Sequence, residues 1–183
     1  MIYCVELAFS QPAREAEWSA WYSQHLGVLL SVPGFSTAQR FQSIAPCRAP
    51  FLAAYSVTSG AVFNSAPYRQ RGGRASPGEW VPLMINWDRN LFDGLAQMPE
   101  VRPDQYLVVV DRPVADLTRF GVTLHRLQCV GLDRTVHRRG IAVLSADQHA
   151  GLIASAASAA PATQSSEHTR FYRALTPQLR ATD

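Results

Sequence analysis

The segment Leu107-Val108-Val109-Val110 is apolar at four successive positions. Side chains alternate across a strand, so a sheet containing this run must be covered on both faces. A sheet with helices on one side only leaves its other side bare. Two such sheets in one chain can cover each other, and the rest of the sequence divides into halves that suit this arrangement.

In the first half, Met1 to Phe9 carries the β-branched and aromatic residues of a strand. Ser10-Gln11-Pro12 suits a helix start with proline in the first turn. From Ala13 to Leu30 the residues Trp18, Trp21, Tyr22, His25, Leu26 and Leu29 recur at steps of three and one, which predicts one continuous helix face. Val32-Pro33-Gly34 ends that helix. Strands are expected over Ser36 to Ile44 and Phe51 to Thr58, then a short helix over Gly60 to Gln70 broken at Pro67. A loop at Arg71-Gly72-Gly73-Arg74 and a last strand over Trp80 to Trp87 complete the half. The order is βαββαβ, a ferredoxin-like arrangement.

The second half repeats this order in reduced form. Strands are expected over Gln105 to Asp111, Val122 to Val130, Arg139 to Leu144 and Thr169 to Leu175, with a small-residue helix over Ala146 to Ala160. The first helix shrinks to a turn near Ala115 to Arg119. Gln39-Arg40-Phe41-Gln42-Ser43 parallels His125-Arg126-Leu127-Gln128-Cys129, and Arg89-Asn90-Leu91-Phe92-Asp93-Gly94-Leu95 parallels Thr169-Arg170-Phe171-Tyr172-Arg173-Ala174-Leu175. Both matches fall at equivalent places in the order. The expected fold class is α+β, tandem ferredoxin-like repeats over residues 1–97 and 104–183, the second without the long first helix. Met98 to Pro103 is the linker.

The first half resembles the dimeric α+β barrel superfamily and, within it, the EthD-like proteins. The resemblance is carried by Trp21-Tyr22-Ser23-Gln24-His25-Leu26, Val32-Pro33-Gly34-Phe35, Ala38-Gln39-Arg40-Phe41, Phe51-Leu52-Ala53-Ala54-Tyr55 and Ser65-Ala66-Pro67-Tyr68-Arg69. It covers about the first 70 residues. It implies a barrel closed within one chain and a small-molecule pocket between helices and sheet, often with a histidine. Superfamily activities are mixed, including cofactor-free monooxygenases, isomerases, cyclases, lyases and haem-related enzymes, so the fold alone does not choose among them.

Composition narrows the chemistry. The 17 basic side chains among 183 residues are all arginine, which excludes an internal Schiff base, a pyridoxal-phosphate lysine and a Walker A phosphate loop. A formal charge of +3 with dispersed arginines gives no nucleic-acid footprint, and Arg134, Arg138 and Arg139 read as a small solvated patch. Cys4, Cys47 and Cys129 form neither a CxxC nor an even framework. No signal-peptide pattern and no apolar run of membrane-spanning length is present, so a soluble, cytoplasmic protein without membrane partners is expected.

His25, on the apolar helix face, is either a proton shuttle or a core histidine bonded to a backbone carbonyl. Arg40, a charge within a strand, either grips a substrate carboxylate, forms a salt bridge, with Glu6 as a candidate partner, or projects from a sheet edge. Glu6 itself needs an arginine or a raised pKa. Tyr22, Tyr55 and Tyr68 offer hydroxyls to a substrate, and Trp21 and Trp87 offer aromatic walls, beside Trp18 and Trp80. Asn90, with Asn86 and Asp88, forms a polar cluster near Trp87. The histidines show no metal-ligand spacing, and neither GxGxxG nor GxSxG occurs.

The leading expectation is a cofactor-independent isomerase or lyase of aromatic catabolism. His25, Arg40 and Tyr22 would be catalytic, and Trp21, Tyr55, Tyr68, Glu6, Trp87 and Asn90 would bind a small organic acid or ring-derived intermediate. One alternative is a cofactor-free or haem-linked monooxygenase, with His25 as axial ligand. The other is a ligand-binding or stress-related protein without catalysis. A homodimer or larger assembly is compatible with each.

Overall fold

Alternation along the first strand sets the layers. In the computed structural model, which describes residues 1–74, 76–111, 117–158 and 168–182, β1 (Ile2–Phe9) turns Tyr3, Val5, Leu7 and Phe9 toward the helices and Ile2 and Cys4 to the opposite face. A 3-10 turn at Pro12–Arg14 leads into α1 (Glu15–Leu30), which buries Trp18, Tyr22, Leu26, Leu29 and Leu30. The chain leaves α1 through Gly34 at φ 100°, where a Cβ would stand 2.5 Å from Val62 Cγ2, so only glycine fits. Next come β2 (Phe35–Ser43) and β3 (Phe51–Val57), the latter buried at every position as a doubly covered strand requires.

A 3-10 segment at Gly60–Asn64 precedes α2 (Ala66–Arg71), whose cap is Ser65, its side chain accepting from the Tyr68 N–H. Pro67 therefore lies in the first turn of α2 and does not break a longer helix. The expected strand at Trp80 is a 3-10 helix over Gly78–Leu83, and β4 runs later, over Met84–Asp93. Pro82 has no N–H for a ladder, and Trp80 is buried against Phe9, 6.0 Å between ring centroids.

The second half contributes β5 (Tyr106–Asp111), β6 (His125–Leu132), β7 (Arg138–Leu144), α3 (Ala146–Ser158) and β8 (Thr169–Ala174). The turn expected near Ala115 falls partly outside the described residues, which show a 3-10 turn at Thr118–Phe120. The last two residues of the expected helix also lie outside them. A short β9 (Leu179–Arg180), not foreseen, pairs with β2.

The first four strands lie in the order β2-β3-β1-β4 and the next four in the order β6-β7-β5-β8. β4 pairs with β6 and β2 with β8, so eight antiparallel strands close into a barrel. α1 and α2 cover the outside of the first four strands, and α3 lies outside β7. The interior is filled by Ile2, Phe41, Leu52, Phe92, Leu107 and Tyr172. Leu107 and Val109 thus face the interior, and Val108 and Val110 the α3 side, as an all-apolar strand demands. Among the described residues no helix is long and apolar enough to cross a membrane.

Candidate functional site

The helical spacing on α1 places Trp21, Tyr22 and His25 over the outward residues of β1. Together with Tyr3, Tyr55, Tyr68 and Trp87 they wall one crevice between helix layer and sheet. His25 stacks on Trp21, 4.8 Å between centroids and 17° between planes, and meets Tyr22 edge-on at 6.2 Å. No hydrogen bond joins its ring nitrogens to another described residue, so the tie to a backbone carbonyl weighed as one alternative is not formed among the described residues. Desolvation pushes its pKa down to about 4, and the imidazole is neutral at physiological pH. Burial pushes the Tyr22 phenol up to about 12 against the opposing Arg40 charge, and burial raises Tyr3 and Tyr55 as well. These phenols are hydrogen-bond donors, not phenolates. Tyr3 was not foreseen, although its phase with Val5 and Leu7 points to the helix side.

The crevice measures about 20 Å³, room for one water. Val5, Leu29 and Met84 add apolar lining, and Gly73, Ser76 and Pro77 form a further wall. Arg74 holds that wall, donating to the Trp87 carbonyl at 3.1 Å and to the Asp133 carboxylate at 2.5 Å. In a space of this size neither a haem macrocycle nor a ring-sized organic molecule fits beside His25 without widening of the crevice. Among the described residues no three His, Cys, Asp or Glu side chains are grouped to hold a metal ion.

Arg40 is close to this crevice but does not line it. Its guanidinium lies over the rings of Trp18 and Tyr22 at 4.6 Å each and over Phe51 at 5.4 Å. Nη1 donates to the carbonyl of Ser19 at 2.9 Å and to its hydroxyl at 2.7 Å. Nη2 has no hydrogen-bond partner. The salt bridge weighed between Arg40 and Glu6 does not form, because the two lie on opposite faces of the sheet. Burial lowers the Arg40 pKa from its ordinary value.

Glu6 and Asn90 belong to the barrel interior and not to the His25 crevice. Asn90 donates to the Thr135 hydroxyl at 2.9 Å and accepts from the Thr135 N–H at 2.9 Å. Glu6 bonds Arg139 at 2.6 Å and Arg170 at 2.5 Å. Asp111 bonds the same two arginines, Arg139 through a two-point contact at 2.6 and 2.8 Å. The four side chains close a neutral ring of alternating charge. Burial alone would raise the Glu6 carboxyl, but the two guanidinium groups outweigh it and hold it below its ordinary value. Arg139, read from the sequence as part of a solvated patch, is 1% exposed. Its phase with Ile141 on β7 carried the inward signal. Beside this ring lies the larger cavity, about 1110 Å³, with Glu6, Asp111 and Arg170 in its lining.

No family model matches the chain, and no curated protein matches its sequence. Among solved structures it is similar to a crystal structure of an anthrone oxidase-like protein. The TM-score is 0.59 at 11% identity, over 100% of this chain and 94% of that one. A likeness at that identity speaks for the fold, an α+β barrel, and not for the chemistry within it.

Proposed function

We propose that this chain is a small-molecule enzyme in which His25 moves a proton on an aromatic or enolisable organic compound. The observation that carries this reading is a desolvated, neutral imidazole, stacked on Trp21 and facing a crevice walled by tyrosine hydroxyls. A base whose conjugate acid lies near 4 is weak, so the proton it takes comes from an acidic C–H or O–H. The enolate or phenolate so formed is an anion beside the imidazolium, and each charge stabilises the other in this low-dielectric space. Tyr22, Tyr55 and Tyr68 supply hydrogen bonds to the developing oxyanion. Arg40 acts through Tyr22, whose ring it holds from behind, and is a positioning residue. The crevice as it stands has room for one water, so binding a ring-sized substrate requires that it widen.

Return of the proton to another atom gives isomerisation or elimination, the isomerase or lyase chemistry we favour. Reaction of the same anion with oxygen is the second reading; the protein of similar fold is named anthrone oxidase-like, and anthrone is an enolisable aromatic ketone of the class proposed. The strand orders of the two halves support a duplicated ferredoxin-like unit, residues 1–97 and 104–183, and its EthD-like type rests on the sequence resemblance of the first half. The site would then occur once per chain, since only the first half has the long helix.

The test is deuterium uptake from heavy water into muconolactone and anthrone, with oxygen consumption followed in parallel. The wild type should accelerate uptake, and His25→Gln should lower the rate by about 10²- to 10⁴-fold. No accelerated uptake into either compound, or a His25→Gln rate equal to wild type, would overturn the reading. Oxygen consumption that needs His25 selects oxidation.

A further inference from the structure

Two residues of the His25 crevice carry buried polar atoms that no protein group satisfies. Among the described residues Tyr55 Oη and Trp87 Nε1 have no hydrogen-bond partner, and both side chains line the space of about 20 Å³. Tyr55, 0% exposed, stands opposite Tyr3 in the β1–β3 ladder and reaches the crevice from the sheet. Burial raises its phenol, and the Tyr22 and Tyr68 phenols raise it further, which places the three hydroxyls in one neighbourhood. Tyr22 approaches Tyr55 Oη without coming to hydrogen-bond distance.

Trp87 reaches the same space through an irregularity in β4. Glu6 pairs with Asp88 and Ala8 with Ile85, so Leu7 alone stands opposite Asn86 and Trp87. Asn86 takes up the extra residue at φ 51°, a left-handed backbone that asparagine tolerates better than most side chains. Met84 and Trp87 are three residues apart and would face opposite ways on a regular strand, yet both line the crevice. Re-aiming a side chain in this way is what bulges beside functional sites do. Arg74 lies against the indole, its guanidinium carbon 5.2 Å from the ring centroid.

The chemistry of the two atoms selects what lies between them. An indole N–H only donates, whereas a phenol hydroxyl donates or accepts. The group that satisfies both must offer a lone pair, which an oxygen does and an ammonium or metal cation does not. A buried polar space the size of one water, with two or more polar partners, is where proteins keep an ordered water. His25, whose ring nitrogens also bond no described residue, lines the same space.

We propose that Trp87 is a further catalytic residue: its indole N–H and the Tyr55 hydroxyl hold one oxygen, a water at rest and the substrate's carbonyl oxygen in the widened crevice. The inference rests on His25 as the base. It narrows the substrate to carbonyl compounds deprotonated at the carbon next to the carbonyl. The C–H bond breaks, its proton goes to His25 and its electron pair enters the enolate. Negative charge then collects on the oxygen that Trp87 and Tyr55 hold.

The resting water is tested by NMR on wild type alone, so the result stands even where a variant fails to fold. The Trp87 indole N–H, assigned by through-bond experiments, should show direct cross-relaxation with a long-lived water. Trp18 Nε1 is also unpartnered but lies outside the crevice lining, and it should show none. Turnover is tested by deuterium uptake into anthrone and muconolactone. Trp87→Phe and Tyr55→Phe keep an aromatic ring and should each lower kcat about 10²-fold, with KM changed less than about threefold. Absence of the water contact at Trp87, or a Trp87→Phe kcat equal to wild type, overturns the proposal. Wild type that exchanges neither compound overturns the His25 reading and the catalytic role of Trp87 with it. Normal exchange in Trp87→Phe beside lost exchange in His25→Gln overturns Trp87 alone.

Discussion

At the scale of single residues, His25 ties the pH behaviour of the fold to the proposed chemistry. Its native pKa, about 4, lies below the ordinary histidine value of 6.5. Between those values the unfolded chain takes up a proton that the native chain refuses, so stability falls as pH drops from 6.5 toward 4. Above that window His25 contributes no pH dependence. The expected outcome is a shallower decline for His25→Gln than for wild type in urea unfolding across the window. Wild-type imidazole NMR signals for His25 should stay those of the neutral ring to about pH 4. Arg40 gives a second test at this scale. It is a buried cation over three rings with one unpartnered nitrogen and, among the described residues, no carboxylate bonded to it. Arg40→Met keeps the packed length and removes the desolvated charge, so stability should fall by less than about 1.5 kcal/mol or rise. A loss above about 3 kcal/mol would show that the ring and Ser19 contacts outweigh desolvation.

At the scale of elements, helical spacing made most of the crevice legible. Trp21, Tyr22 and His25 share a face of α1 by their intervals alone. What lies beneath them was fixed by strand phase, which separates Tyr3 from Glu6 and so removes Glu6 from the site. That signal was present in β1 but competed with the chemical appeal of a carboxylate. The end of α1 was legible too, in Val32-Pro33-Gly34, and the structure shows why the glycine is needed. Gly34 combines φ 100° with a Cβ position overlapping Val62 Cγ2 at 2.5 Å. Gly34→Ala should therefore destabilise the chain by about 1–3 kcal/mol, through strained backbone and displaced Val62 together. Equilibrium unfolding measures the loss, and retention of full stability would mean that the turn relaxes without cost. The start of β4 was misplaced because Trp80 and Val81 have strand propensity. Pro82 and the aromatic contact to Phe9 decide for a 3-10 turn instead.

At the scale of the whole molecule, the strands of each half could be read locally, but the seams at β4 with β6 and β2 with β8 could not. Nothing in a local pattern states which strand edge meets which across the chain. The same distance hid the charge ring, since Glu6 finds its partners 133 and 164 residues away. That ring links β1 to β5, β7 and β8 through the barrel interior, and Arg139 is its best-enclosed member, with both carboxylates on it. Arg139→Met leaves Arg170 alone to neutralise two buried acids. At pH 7 the variant should lose about 3–5 kcal/mol in urea unfolding, the usual consequence of stranding a buried charge. The acid dependence then distinguishes charge from packing. Glu6 is held below its ordinary range in the wild type, so its contribution is full above the unfolded carboxylate pKa and is lost as pH falls through the native one. In the variant, desolvation is less opposed, and Glu6 protonates at higher pH. The stability gap between wild type and Arg139→Met should accordingly narrow as pH falls below the ordinary carboxylate range. A gap that stays constant with pH would instead assign the loss to the packing of Arg139 against Phe92, whose ring centroid lies 5.0 Å from its guanidinium carbon.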